Sequence, residues 1–210
     1  MSGLFPSHLS PSLPMPLSAA APRQHLYTRR TEFHGFLRED GLWDIEGTLT
    51  DAKTYAYQSS ERGDVPAGTP VHGIKVRMTL DEQMRIVAIE AAMDHTPYGE
   101  CVQAGPPVQG LVGRSVGRGW RKTINEVLGG VQGCTHMREL LFNMATAAYQ
   151  TMWPWRETER RRLGQDRAQP LEPPPHIGQC MTWAVDSPVT ARIEPMFYRP
   201  RQPVSETASS

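Results

Sequence analysis

Cysteine is scarce in this chain, with three among 210 residues. An odd number gives no disulfide framework, and a chain of this length does not depend on one. Long apolar runs are missing as well: none approaches the ~20 residues that a membrane-spanning helix needs. Net charge is absent, since Lys plus Arg and Asp plus Glu both number 22, whereas a nucleic-acid binder carries a basic excess on one face. The one dense cationic cluster, Arg160 to Arg162, stands beside Glu157 and Glu159 and reads as solvated surface. The start of the sequence has no cationic stretch followed by an apolar one, so no secretory signal is expected. Neither nucleic acid nor membrane is thus an expected partner, and the cytoplasm is the expected location. A Gly-x-Ser-x-Gly elbow, a His-Glu-x-x-His pair and a dinucleotide fingerprint are also lacking, which withdraws support from the common hydrolase, zincin and dehydrogenase readings.

What remains is enough for one domain with a core. Residues 1–24 are rich in Ser, Pro and Ala without periodicity and are expected to be disordered. Residues 25–155 carry the core. Residues 156–176 form a charged and Pro-rich linker, 177–198 return to the core, and 199–210 are a disordered tail. Leu26 to Thr28 and Phe33 to Phe36 read as strand, followed by an Asp40-Gly41 turn. Leu42 to Tyr57 has its apolar residues at odd positions, the period of a half-buried strand. The clearest hairpin runs from Ile74 through a turn at Asp81 to Gln83 and back to Ala92. Residues 99–119 hold six glycines and a Pro-Pro pair, a structured loop that leads into a helix near Ser115 to Leu128. A second helix is predicted from about Cys134 to Trp153, its apolar residues spaced for one buried face and Pro154 ending it. Strands first and helices later give an α+β fold: an antiparallel sheet with helices packed on one face.

Chemistry concentrates at four residues. His72 precedes the hairpin and Cys101 follows it, so antiparallel geometry brings the two positions together. Cys134 and His136 straddle the start of the second helix, where the helix dipole favours a thiolate. Two cysteines and two histidines suit zinc or iron, although no Cys-x-x-Cys spacing is present. Asp44, Glu46, Asp51 and Lys53 lie on one strand, from which Asp44 with Tyr55 offers acid–base groups. His95 and Tyr98 flank Cys101 across Pro97. Arg114 and Arg118 are candidates to grip a carboxylate, Trp120, Trp153 and Trp155 to line an aromatic pocket, and Cys180 to return as a further ligand.

The segments REDGLWDIEGTLTDAKTY, AGTPVHGIKVRMTLD and GCTHMRELLFNMA resemble a family of uncharacterised proteobacterial proteins known only as a domain of unknown function, over roughly residues 25–200. The layout of GTPVHGIKVRMTL, returning strand, Cys101 and a helix opened by GCTH also resembles, remotely, the iron–sulfur scaffold proteins. That resemblance implies metal ligands at His72, Cys101 and either Cys134 or His136, on a scaffold-like fold with extra N-terminal strands. Imidazole in place of the first thiolate argues against cluster assembly. The expectation is therefore a small metal-dependent catabolic enzyme, of lyase or isomerase type, acting on a small aromatic or acyl molecule. Zinc or iron would sit at His72, Cys101, Cys134 and His136, with Asp44, Tyr55 and His95 moving protons. The alternatives are an accessory protein that handles metal or iron–sulfur clusters, and a metal-free acid–base lyase. Self-association into a homo-oligomer is compatible with either.

Overall fold

The computed structural model describes residues 17–165, 172–174 and 176–201. Residues 17–24 carry no helix or strand and are exposed; the rest of the expected N-terminal disordered segment, 1–16, and the tail beyond Arg201 lie outside the described residues.

Four strands form one antiparallel sheet in the order β1 (Tyr27–Leu37), β2 (Trp43–Lys53), β5 (Pro70–Leu80), β6 (Ile86–His95). The short pair β3 (Tyr57–Ser59) and β4 (Gly63–Val65) fills the connection between β2 and β5. The basic stretch Arg29 to Glu32, between the two segments read as strand, is strand as well. Arg29 and Arg30 lie opposite Asp51 and Thr50 of β2, so neighbour pairing carries the strand across it.

Alternation sets which face is buried. In β2, Trp43, Ile45 and Leu49 turn inward, and in β5 Ile74, Val76, Met78 and Leu80 do the same. Each such fully buried side chain contributes about 1.5–3 kcal/mol relative to exposure. β6 breaks the period: a register irregularity at Thr79/Leu80 lets both Ile86 and Ile89 reach the core while Val87 is exposed.

The inner face is covered by α1 (Trp120–Leu128) and the long α2 (Thr135–Arg162), whose Met137, Leu140, Leu141, Met144, Ala148 and Met152 are buried. Two glycines let α2 lie close to the sheet. A Cβ on Gly47 would stand 3.1 Å from Met144 Sδ, and one on Gly35 would coincide with the Thr151 side chain. A third helix, α3 (Pro188–Ile193), is capped by Ser187, whose Oγ accepts from the Thr190 N–H.

The predicted end of α2 at Pro154 is corrected, because the helix runs through that proline to Arg162. Past the missing N–H, Arg160 and Arg161 pair with Glu157 and Arg162 with Glu159, one turn apart. Arg156 also ties this part to the β5–β6 turn by donating to the Glu82 carbonyl at 2.6 Å. The stretch expected to be linker from residue 156 therefore begins as helix. No helix among the described residues is long and apolar enough to cross a membrane.

Candidate metal centre

At one end of the sheet, Asp51 and His72 face each other directly across β2 and β5. Both are in phase with the inward-facing residues of their strands, and an irregularity in the ladder begins just beyond Asp51. α2 starts above them, so His136, in its first turn, comes down onto His72. The two imidazole rings lie 3.9 Å apart, tilted by 40°. One donor atom from each of Asp51, His72 and His136 falls within 4.8 Å of the others, the one such group among the described residues.

Asp51 is almost wholly buried, with 4% exposure, and its carboxylate is saturated with donors. The His72 N–H donates to Oδ1 at 2.9 Å, Tyr27 Oη donates to Oδ2 at 2.8 Å, and His72 Nδ1 lies 3.0 Å from Oδ1. Burial works to raise the Asp51 pKa, but the hydrogen bonds from Tyr27 and His72 outweigh it and hold the carboxyl below its ordinary 3.8. The Tyr27 phenol moves the other way, raised above 10.0 first by burial and then by its bond to the Asp51 carboxylate. His136 sits below its ordinary 6.5, pushed down by burial and then by the charges of His72 and Arg29. Near neutral pH the site therefore holds an ionised carboxylate and a neutral His136 imidazole, the states in which both groups bind metal.

Of the residues expected from the sequence, the structure brings His72 and His136 together. Cys134 stands beside them, its Sγ 3.7 Å from His136 Nδ1, but outside the three-donor group. Cys101 is not part of it either. It lies in a two-turn 3-10 segment, Gly99–Ala104, where the chain leaves β6, and the ladder is irregular at the intervening Gly73/Ile74 step. Antiparallel ends thus bring the backbones close without aiming this side chain at His72.

The expected acid–base trio is dispersed. Asp44 is an even position of β2 and faces outward, accepting from Thr79 Oγ1 at 2.6 Å. Tyr55 is exposed, edge-on to Tyr57, whose ring carries Lys53 Nζ at 3.6 Å. His95 is exposed opposite Gly73, its ring lying 2.8 Å from where a Gly73 Cβ would be. Cys180 is exposed and unpaired, and all three cysteines are free thiols.

The sequence reading named Asp51 without choosing it and missed Tyr27. For Asp51 the signal was present: its odd position puts a carboxylate in step with Trp43, Ile45 and Leu49 on the apolar face. Tyr27 had no comparable signal.

A family model described as Protein of unknown function (DUF2889) matches residues 27–150. No curated protein matches the chain, and no solved structure does.

Proposed function

The chain belongs to DUF2889, a family of proteins of unknown function, so the site must supply its own chemistry: we propose that the protein is a small metal-dependent enzyme holding one divalent zinc or iron ion. Asp51, His72 and His136 are its ligands. The observation that carries this reading is the convergence of a buried, ionised carboxylate and two imidazoles within 4.8 Å. Two histidines and a carboxylate leave coordination positions open for water or substrate.

At such a site the ion supplies Lewis acidity, polarising a carbonyl or hydroxyl of a small catabolic substrate. Tyr27, half exposed and hydrogen-bonded to Asp51, is the group placed to move a proton, in the role first expected of Asp44, Tyr55 and His95. Lewis acidity with Tyr27 as proton carrier supports a lyase or isomerase; the Cys134 thiol, 3.7 Å from His136 Nδ1, is the nucleophile–base pair that a hydrolase would use instead. Nitrogen and oxygen donors without a thiolate in the group speak against an iron–sulfur carrier, because such clusters are held by cysteine sulfur. The free thiols suit a cytoplasmic setting.

A metal-free reading is favoured by one detail. Asp51 Oδ1 lies against both the main-chain N–H and Nδ1 of His72, which fixes the Nδ1–H tautomer and leaves Nε2 free as a base. Elemental analysis of the purified full chain separates the two. Near-stoichiometric zinc or iron, lost in His72→Ala and His136→Ala and kept in Cys101→Ala, is the expected result. Wild-type protein that takes up no ion at micromolar metal refutes the metal reading and leaves the Asp51–His72 pair as an acid–base dyad.

A further inference from the structure

A second concavity lies well away from the triad. Its walls come from the β5–β6 turn, the segment entering α1, the middle of α2 and the C-terminal stretch around Pro173 and Pro174; the enclosed volume is about 510 Å³. Ligand pockets span roughly 300–1,000 Å³, so this is room for one small molecule. Tyr149, on its far wall, is thirteen positions along α2 from His136, or about 20 Å of helix.

The lining has a definite chemistry. Trp120, Phe142 and Tyr149 supply flat apolar surface, with prolines opposite. No acidic residue lines the cleft among the described residues, yet two arginines do. In a chain with no net charge, that makes this cleft locally cationic. Arg121 is held over the Phe142 ring at 4.6 Å, which keeps its guanidinium at the apolar wall. Arg118 has no hydrogen bond, ion pair or ring contact among the described residues. It immediately precedes the start of α1, whose cap is Gly119 in the left-handed region, with no side chain capping it and no acid in its first turn. The positive end of α1 and two guanidinium groups thus border the same opening without an anion among the described residues to meet them.

One wall residue is also held against its backbone preference. Met84 has φ 57°, where glycine or asparagine is the usual occupant. Its conformation is fixed by Asp81, whose carboxylate accepts from the Gln83 and Arg85 N–H groups. A thioether thereby stands at the cleft where a smaller turn residue would leave it open.

We propose that this cleft binds a small aromatic carboxylate, its ring between Trp120, Phe142 and Tyr149 and its anionic end on Arg118 and Arg121. The site is independent of the Asp51–His72–His136 cluster and of the chemistry assigned there. The cation pair sets the preference for an acid over its neutral isostere, and the aromatic walls set the preference for a flat body.

The test uses the full chain, with 2-naphthoate as probe and 2-naphthamide as its neutral counterpart, read by equilibrium dialysis and by quenching of tryptophan emission. Saturable naphthoate binding with Kd on the order of 10 μM to 1 mM is expected, with the amide at least about tenfold weaker. Arg118→Gln and Arg121→Gln together weaken the acid by roughly tenfold or more and leave the amide unchanged. Ala145→Trp, which fills the cleft, abolishes both while retaining wild-type circular dichroism. His136→Ala, which disables the other site, leaves naphthoate binding intact. The proposal is overturned if acid and amide bind alike, if the arginine variant stays within about twofold of wild type, if folded Ala145→Trp still binds, or if His136→Ala removes binding. It is equally overturned if naphthoate shows no saturation.

Discussion

Asp51→Asn is nearly isosteric, yet it changes the hydrogen-bond character of the whole cluster. The wild-type carboxylate accepts from the His72 N–H, from Tyr27 Oη and from the His72 ring. An amide with its oxygen at the Oδ1 position still accepts from both the His72 N–H and the His72 ring, and turns its NH2 toward Tyr27. The Tyr27 hydroxyl can rotate and accept instead. The His72 ring keeps its Nδ1–H on the amide oxygen. Three charge-assisted bonds, each worth about 1.5–3 kcal/mol, become neutral ones worth about 0.5–1.5. Part of that difference returns because a buried charge is no longer desolvated, leaving a loss of roughly 2 kcal/mol. Asp51→Ala leaves the His72 donors unmet inside the protein and costs more, about 3–5 kcal/mol. Urea and thermal unfolding in chelator would measure both on the metal-free chain, where 2 kcal/mol corresponds to about 4–8 °C in Tm. Nitrogen NMR of the His72 ring would report the tautomer directly. An Asn variant as stable as wild type, or an Ala variant no worse than Asn, would refute the reasoning. So would a His72 proton that moved to Nε2.

Four further outcomes follow from the packing. Gly35→Ala drives a methyl into Thr151 and should lose about 1–3 kcal/mol; adding Thr151→Ala should recover most of it, a non-additivity read from a double-mutant cycle. Pro154→Ala restores a main-chain donor inside α2 and should raise stability by about 1–3 kcal/mol in urea unfolding, since proline costs a helix interior about 3 relative to alanine. The buried Tyr149 hydroxyl has no hydrogen-bond partner among the described residues, so Tyr149→Phe should stabilise the chain by about 1 kcal/mol, and a loss of stability would show that the hydroxyl has one. Burial pushes the Tyr149 pKa up to about 12 from an ordinary 10.0; its folded value being the higher one, its contribution is complete below pH 10 and is lost as pH rises through 12. Phenolate absorbance should show a tyrosine ionising near pH 12 that is absent from Tyr149→Phe.

The α+β class was legible because alternation in Leu42 to Leu49 and Ile74 to Leu80 is strict and local. The β6 irregularity was not, since Ile86, Val87 and Ile89 read equally well in a regular strand until the partner register decides between them. Pro154 misled for a related reason: a proline removes one helix bond, and whether the helix survives depends on distant anchors such as Glu82 for Arg156. At the site, His72 and His136 could be picked out by residue type and position. The thiols drew attention by chemistry alone, whereas the direction of a loop side chain such as Cys101 is set by backbone that the sequence does not reveal. Asp51 was outweighed by Asp44 because carboxylates on a strand were weighed as a group; phase along the strand separates them, one inward and one outward.

The candidate centre is divided between two layers: Asp51 and His72 belong to neighbouring strands, and His136 to the first turn of a helix laid across them. The strand pair assembles as soon as β2 and β5 zip together, but the third donor arrives only when α2 docks. An ion held by all three acts as a rivet joining residues 51, 72 and 136, so occupancy and helix docking must rise and fall together. The earliest sign of a failing site would then be fraying at the head of α2, visible as faster amide exchange there while the sheet is still protected.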